Sequence, residues 1–262
     1  MKILNGKKEA EKIYSNLKRV IKDEPSLAVI LVGDDKSSKL YIKKKKKAAK
    51  EIGIKVSQYV FPSNSKDAEV IETINKLNRD SSVNGIIVQL PLPVGFNTNK
   101  IVGSVSKQKD VDGFTKGKLV FDPPLPAAIL FALNKIGGKR KTIVALANSD
   151  IFGKTLKDFL ERKEIKIDYM LRKDFSLDRI KKADVVISVC GCPGFLKGDM
   201  FKKGVALIDA GMKISKGKVA GDVEKGSVKQ KASFLTPVPG GLGPLNVALL
   251  LKNVYLAWKL QN

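Results

Sequence analysis

Five consecutive lysines, Lys43 to Lys47, follow Tyr41 in the stretch SKLYIKKKKKAAKEIGI. Such amines can hold a polyanion by charge, or one of them, stripped of water, can move protons. Burial and neighbouring cations both disfavour the ammonium form, so a lysine placed among them can be neutral near pH 7 and act as a general base. At about 100° per residue, Tyr41, Ile42, Ala48, Ala49 and Ile52 share one arc of a helix, with Lys45 in its middle. Lys43 and Lys47 point away, and Lys44 and Lys46 flank the edges. Lys45 also stands four residues after Tyr41, on the same face. Two readings remain open here: the amine snorkels along the stripe into water, or it stays at the apolar side, tuned for proton transfer.

The rest of the composition narrows the chemistry. The chain has no histidine, which excludes Ser-His-Asp and Cys-His catalysis and every histidine-ligated metal. Cys190 and Cys192 are too few for a disulfide framework or a cysteine-only zinc site. They lie in an apolar strand and turn and read as buried thiols. Catalysis must rest on Lys, Tyr, Asp, Glu, Ser or a bound cofactor. The formal charge is +23, from 49 Lys+Arg against 26 Asp+Glu, which invites a nucleic-acid reading. Yet nearly all the cations are lysine, a hydrated point charge, rather than the forked arginine suited to phosphate and base contacts. They are spread along the whole chain, so the excess reads as solvated surface that favours anions in general.

Two blocks of alternating elements would position these residues. In the first, SLAVILVG (Ser26 to Gly33), KVSQYVF and GIIVQL (Gly85 to Leu90) read as strands. A helix from about Ser37 to Ile52 and another over DAEVIETINKLNR lie between them. Pro123, Pro124 and Pro126 suggest a crossing between domains. The second block runs KTIVALA, GKTLKDFLERK, EIKIDYML, SLDRIKKA, DVVISVCG and VALIDAG, in the manner of a dinucleotide-binding sheet. The loop TPVPGGLGP and the helix LNVALLLKNVYLAWKL complete it. Short apolar strands interleaved with amphipathic helices predict an α/β protein with a largely parallel sheet.

Four segments, SSKLYIKKKKKAAKEIGI, GIIVQLPLP, KDVDGF and TPVPGGLGP, stand in the order and approximate spacing of one family. With CGCPGFLKGDMFKKGVALIDAG and AGDV, the chain resembles the methylenetetrahydrofolate dehydrogenase/methenyltetrahydrofolate cyclohydrolase enzymes from about Lys2 to Trp258. The resemblance implies an N-terminal α/β catalytic domain over residues 1–118 and a Rossmann-like NADP-binding domain over 119–236. The Gly/Pro loop and C-terminal helix, 237–262, would return to the first domain, with folate in the interdomain cleft. It implies Lys45 as catalytic lysine, Tyr41 stacked on the folate, Gln89 holding Lys45, and Asp112 receiving the pterin. Leu90, Pro91, Pro239, Gly240 and Gly241 would border the substrate. Taken alone, Asp112 could be a turn residue ahead of Gly113, and Gln89 could merely end its strand.

For the cofactor, the resemblance implicates Ala147, Asn148, Ser149, Arg172, Lys173, Cys190, Gly191 and Met212. The family usually has glycine where this chain has Ala147, and Ala147-Asn148-Ser149 followed by Gly153 lacks the general G-x-G-x-x-G fingerprint. PPLPAA, Pro123 to Ala128, replaces the family's PCTPxG, and Thr115-Lys116 stands for its usual His-Pro. Arg172 and Lys173, at the end of the second strand of this block, favour NADP over NAD, which remains the alternative.

The implied function is oxidation of methylenetetrahydrofolate, with NADP taking the hydride, and hydrolysis of the methenyl product to formyltetrahydrofolate. That places the chain in one-carbon metabolism and purine biosynthesis. No metal is expected, because the methenyl cation is already electrophilic. The partners expected are tetrahydrofolate derivatives and a second copy of the chain, with no specific nucleic acid and no membrane. The amino-terminal stretch does not read as a signal peptide, and a cytoplasmic protein is expected. The alternatives are a cyclohydrolase alone, or a lysine-rich nucleic-acid-binding protein.

Overall fold

The computed structural model describes residues 1–115, 117–137, 141–215 and 218–262, so Lys116 of the Thr115-Lys116 pair lies outside the described residues. In chain order the elements are β1 (Lys2–Ile3), α1 (Gly6–Val20), β2 (Ser26–Val32), α2 (Lys36–Glu51), β3 (Lys55–Phe61), α3 (Asp67–Arg79), β4 (Gly85–Val88) and α4 (Thr98–Gly103). There follow α5 (Pro124–Ile136), β5 (Ile143–Ala147), α6 (Asp150–Glu161), β6 (Asp168–Leu171), α7 (Leu177–Lys182), β7 (Val185–Val189) and β8 (Val205–Asp209). The last are β9 (Lys213–Ser215), β10 (Lys218–Ala220), α8 (Lys225–Val228), β11 (Ala232–Thr236) and α9 (Leu242–Gln261). Two compact units result: Ala10–Pro124 with Val247–Asn262, and Met1–Glu9 with Leu125–Asn246.

The unit holding the lysine run has a parallel sheet of order β3-β2-β4. Its central strand, SLAVILV, is buried at every position, as a strand covered on both faces must be. Asp35 starts α2 by accepting the Ser38 N–H at 2.6 Å, which satisfies one of the orphan donors of the first turn. Ile42, Ala49 and Ile52 then pack with Leu27, Val29 and Leu31 of β2, and with Val247, Leu250, Leu251, Val254 and Ala257 of α9. The last helix thus completes this core. The residues at 109–111 run beside β4, joined by the Ile86 N–H to the Lys109 carbonyl at 2.7 Å.

The other unit carries a six-stranded parallel sheet of order β1-β11-β8-β7-β5-β6. The order reverses at β5, which has β6 on one side and β7 on the other. In open α/β sheets that reversal opens a crevice at the carboxyl ends of the strands.

The elements differ from the sequence reading in specific places. PPLPAA is not merely a crossing: α5 begins at Pro124, because proline is tolerated in a helix's first turn, where its missing N–H would be unpaired anyway. GIIVQL ends as a strand at Val88, leaving Gln89 in the exit loop. EIKIDYML is strand only from Asp168. Residues 1–9 group with the six-stranded sheet through the pairing of β1 with β11, and 237–246 group there too, unlike the boundaries drawn at 118 and 236.

Candidate active site

The helical angles of α2 translate directly into burial. Lys45 is 4% exposed, Lys43, Lys44 and Lys47 are exposed, and Lys46 is half-buried. The Lys45 amine does not snorkel to water. Its Nζ donates to Gln89 Oε1 at 3.0 Å and lies 5.1 Å from the centre of the Tyr41 ring. Gln89 Nε2 donates to the Leu90 carbonyl at 2.9 Å, which turns the amide so that its oxygen faces the amine. Burial holds the Lys45 pKa below its ordinary 10.5, and the nearby Asp112 charge works against that shift. Leu90 and Pro91 continue the exit loop, Leu90 half-buried and Pro91 exposed.

Asp112 sits in a loop fixed from three sides. Asp110, buried, accepts the Gly113 N–H through Oδ1 and the Thr115 N–H through Oδ2, both at 2.8 Å. Gly113 has φ +75°, and a side chain there would meet Pro123 at 2.8 Å, so only glycine fits. Asn253 of α9 donates to the Val111 carbonyl at 3.0 Å and the Asp122 carbonyl at 2.8 Å. Burial pushes the Asp112 pKa up to about 6, opposed by the Lys45 charge and assisted by that of Asp110. Among the described residues no hydrogen bond reaches the Asp112 carboxylate, which leaves it free to accept from a ligand. Lys45, Tyr41, Gln89 and Asp112 are therefore linked around the amine: a buried lysine of lowered pKa, a fixed acceptor, an aromatic face and a carboxylate that acts on the amine by its charge.

The residues assigned to a cofactor lie in the other unit. Ala147, the last residue of β5, is 1% exposed, so its methyl is covered by protein and does not obstruct the turn. Asn148 is exposed, and its N–H meets the Val189 carbonyl at 3.1 Å, joining the ends of β5 and β7. Ser149 caps α6 without a side-chain hydrogen bond, leaving its hydroxyl and the first-turn N–H groups as donors. The carboxylate of Asp150, next in line, is met by Lys154 at 2.7 Å and the Tyr169 hydroxyl at 2.8 Å. A helix start of this kind suits a phosphate.

Arg172 and Lys173 are exposed just past β6, with the Arg172 guanidinium 5.7 Å from the Phe195 ring. Cys190 is buried, its thiol pushed up to about 12 chiefly by burial, and Gly191 turns at φ +64°. Met212 is half-buried between β8 and β9. Pro239, Gly240 and Gly241 form the turn before α9, tied by the Gly241 N–H to Pro237 O at 2.6 Å and the Gly6 N–H to Gly240 O at 2.9 Å.

Three residues escaped the sequence reading. Ser38 is buried seven residues before Lys45 on the same helical face, and its Oγ has no partner among the described residues. The wheel that singles out Lys45 carries Ser38 too. Asp222 takes its donors from Ser188, Cys190 and Cys192, far away in sequence, which neither periodicity nor spacing reveals. Asp110 shapes its own loop through the N–H groups of Gly113 and Thr115, a short-range signal that an Asp ahead of a glycine turn offers.

Comparison with known proteins agrees with this layout. Residues 4–112 match the family model described as tetrahydrofolate dehydrogenase/cyclohydrolase, catalytic domain, and residues 123–262 match the corresponding NAD(P)-binding domain. The chain is 40% identical to the bifunctional protein FolD of Thermodesulfovibrio yellowstonii, over 99% of this chain and 97% of that one. A solved bifunctional FolD from Campylobacter jejuni is 35% identical and superposes with a TM-score of 0.85, covering 100% of both chains. The Trypanosoma brucei enzyme, complexed with NADP cofactor and an inhibitor, is 26% identical with a TM-score of 0.85, over 98% of this chain and 97% of that one. Matched along both blocks in sequence and fold, the chain belongs to the tetrahydrofolate dehydrogenase/cyclohydrolase family.

Proposed function

We propose that the chain is a bifunctional enzyme that oxidises methylenetetrahydrofolate to methenyltetrahydrofolate with NADP and hydrolyses the methenyl form to formyltetrahydrofolate. The observation that carries the reading is the buried Lys45 amine, held by Gln89 with Asp112 close enough to shift its proton affinity.

In hydrolysis, water adds to the methenyl carbon, which already bears positive charge. Neutral Lys45 takes the proton that the water sheds as its C–O bond forms. The resulting ammonium is stabilised where it stands by Gln89 Oε1 and by the Asp112 charge. It returns the proton to the departing ring nitrogen as the bridge opens, and the adduct's hydroxyl releases its remaining proton to solvent as the formyl C=O forms. Gln89, fixed through Leu90, keeps the amine from rotating out of line. The Tyr41 ring offers a flat face to the folate. Asp112 can pair with the amidine-like edge of the pterin through two oxygens. No step calls on histidine, which the chain lacks.

NADP, when bound, supplies the hydride acceptor for the methylene carbon. The Ser149 hydroxyl and the start of α6 would hold its pyrophosphate, and the buried Ala147 methyl leaves that turn accessible. The exposed Arg172 and Lys173 would meet a ribose phosphate, which favours NADP over NAD. In keeping with the family resemblance, the enzyme acts as a cytosolic homodimer and feeds one-carbon units to purine biosynthesis. Among the described residues no helix is long and apolar enough to cross a membrane.

The test is spectrophotometric. NADPH absorbance must rise when methylenetetrahydrofolate and NADP are added, and the methenyl absorbance must decay without added cofactor. Methenyl decay with no reduced cofactor at saturating NADP and NAD would leave only a cyclohydrolase.

A further inference from the structure

We infer that Asp222 is a positioning residue for the dinucleotide: its carboxylate sets the backbone of the loop leaving β7, Cys190 to Cys192, on which the cofactor rests. The inference builds on the proposed dehydrogenase activity.

Asp222 lies between β10 and α8 and is 0% exposed. Three donors from one short segment converge on it. Oδ2 accepts from the Ser188 hydroxyl at 2.6 Å and the Cys190 N–H at 2.7 Å, and Oδ1 accepts from the Cys192 N–H at 2.6 Å. The carboxylate cannot swing away. The Asp222 N–H is held by Asp209 Oδ1 at 3.1 Å, and a side chain at Gly211 would come within 2.1 Å of the carboxylate.

Asp209 supports it from behind, accepting from the Gly211 N–H at 3.1 Å and the Val223 N–H at 2.9 Å as well. Both N–H groups that flank Gly191 are thereby drawn inward. The Gly191 peptide, at φ +64° with open space where a Cβ would stand, is left as the outward face of the loop. This face lies at the carboxyl end of β7, next to β5, where the sheet order reverses and such folds take their dinucleotide.

A carboxylate is the group that suits this junction. It offers lone pairs on both oxygens to three donors. An asparagine of the same shape would turn an amide NH2 against at least one of them. The bonds gather within Ser188 to Cys192 and leave the strand ladders alone, so losing them should disturb the cofactor loop before the sheet.

The experiment compares both activities in Asp222→Asn. The KM for NADP should rise about tenfold or more with kcat changed by less than about threefold, while methenyl hydrolysis stays within about twofold. Ser188→Ala, which removes one donor and leaves both N–H bonds, should raise that KM by less than about threefold. An unchanged KM for NADP, or equal losses in both activities, would overturn the inference. Should Asp222→Asn fail to fold, Gly191→Ala strains the same loop through its φ of +64° with the carboxylate intact. It must raise the KM for NADP and spare hydrolysis, and an unchanged KM overturns the inference. If the wild-type chain forms no NADPH, the dehydrogenase reading itself fails, and calorimetric NADP binding replaces KM. Weaker binding by Asp222→Asn then supports the inference, and no binding by the wild type overturns it.

Discussion

Burial lowers the Lys45 pKa from 10.5, and the Asp112 charge draws it part of the way back. In the unfolded chain the amine keeps its proton up to that ordinary value. Between the lowered folded pKa and 10.5 the unfolded state therefore binds the extra proton, and stability rises with pH across that window. Below it, the fold must hold a charged amine away from water. Lys45→Met should abolish methenyl hydrolysis yet raise the melting temperature at neutral pH, since an apolar chain of similar length has neither proton nor hydration to give up on burial. Lys44→Met, on the exposed flank, should leave both within error. Rates and melting curves on the two variants check this together. Asp112→Asn should move the acid limb of the hydrolysis profile to lower pH, because Asp112 raises the Lys45 pKa; a limb displaced upward would contradict the coupling. At this scale the place of Lys45 on the apolar arc was legible from helical angles alone, but not that its amine stays out of water, which burial and the Gln89 bond decide. Its partner Gln89 is 44 residues away and could not be read from spacing; only the family pattern pointed to it.

Elements bring those side chains together, and the least regular of them matter most. β4 is only GIIV, and Gln89 just past it keeps its N–H on the Ile30 carbonyl of β2 at 2.8 Å while its side chain turns toward α2. The loop bearing Asp112 takes its shape from Asp110 and from Asn253 on α9. Asn253→Ala would remove the donor that the Val111 and Asp122 carbonyls share and should cost about 1–3 kcal/mol. Its KM for folate should rise more than its kcat falls, as thermal melting and steady-state kinetics can show. Gly113→Ala forces an unfavourable φ against Pro123 and should cost a further ~1–3 kcal/mol, with the same bias toward KM. Apolar runs made most strands and their helices readable. β1 was not, because a two-residue strand with both side chains exposed carries no pattern. Three prolines around residue 124 read as a break and concealed α5, whose Ala128, Ile129 and Ala132 are buried.

For the whole molecule, the unit containing Lys45 is assembled from Ala10–Pro124 and Val247–Asn262. The later segment contributes Val247, Leu250, Leu251, Val254 and Ala257, all buried in that core. Full burial of a larger apolar side chain is worth about 1.5–3 kcal/mol, so their absence removes on the order of 10 kcal/mol. That matches the entire stability of a typical domain. A fragment of residues 10–124 should therefore show no cooperative melting by circular dichroism; a sharp transition would refute this. The return of the last helix was expected from the family pattern, but the transfer of residues 1–9 to the six-stranded sheet was not visible in a sequence whose opening residues have no apolar run. This discontinuity orders events at the ribosome. A nascent chain can finish the six-stranded unit once residue 246 has emerged, but the lysine-bearing unit must wait, half-built, for residues 247–262. A polypeptide terminated before residue 247 thus lacks part of the core against which the Lys45 helix packs.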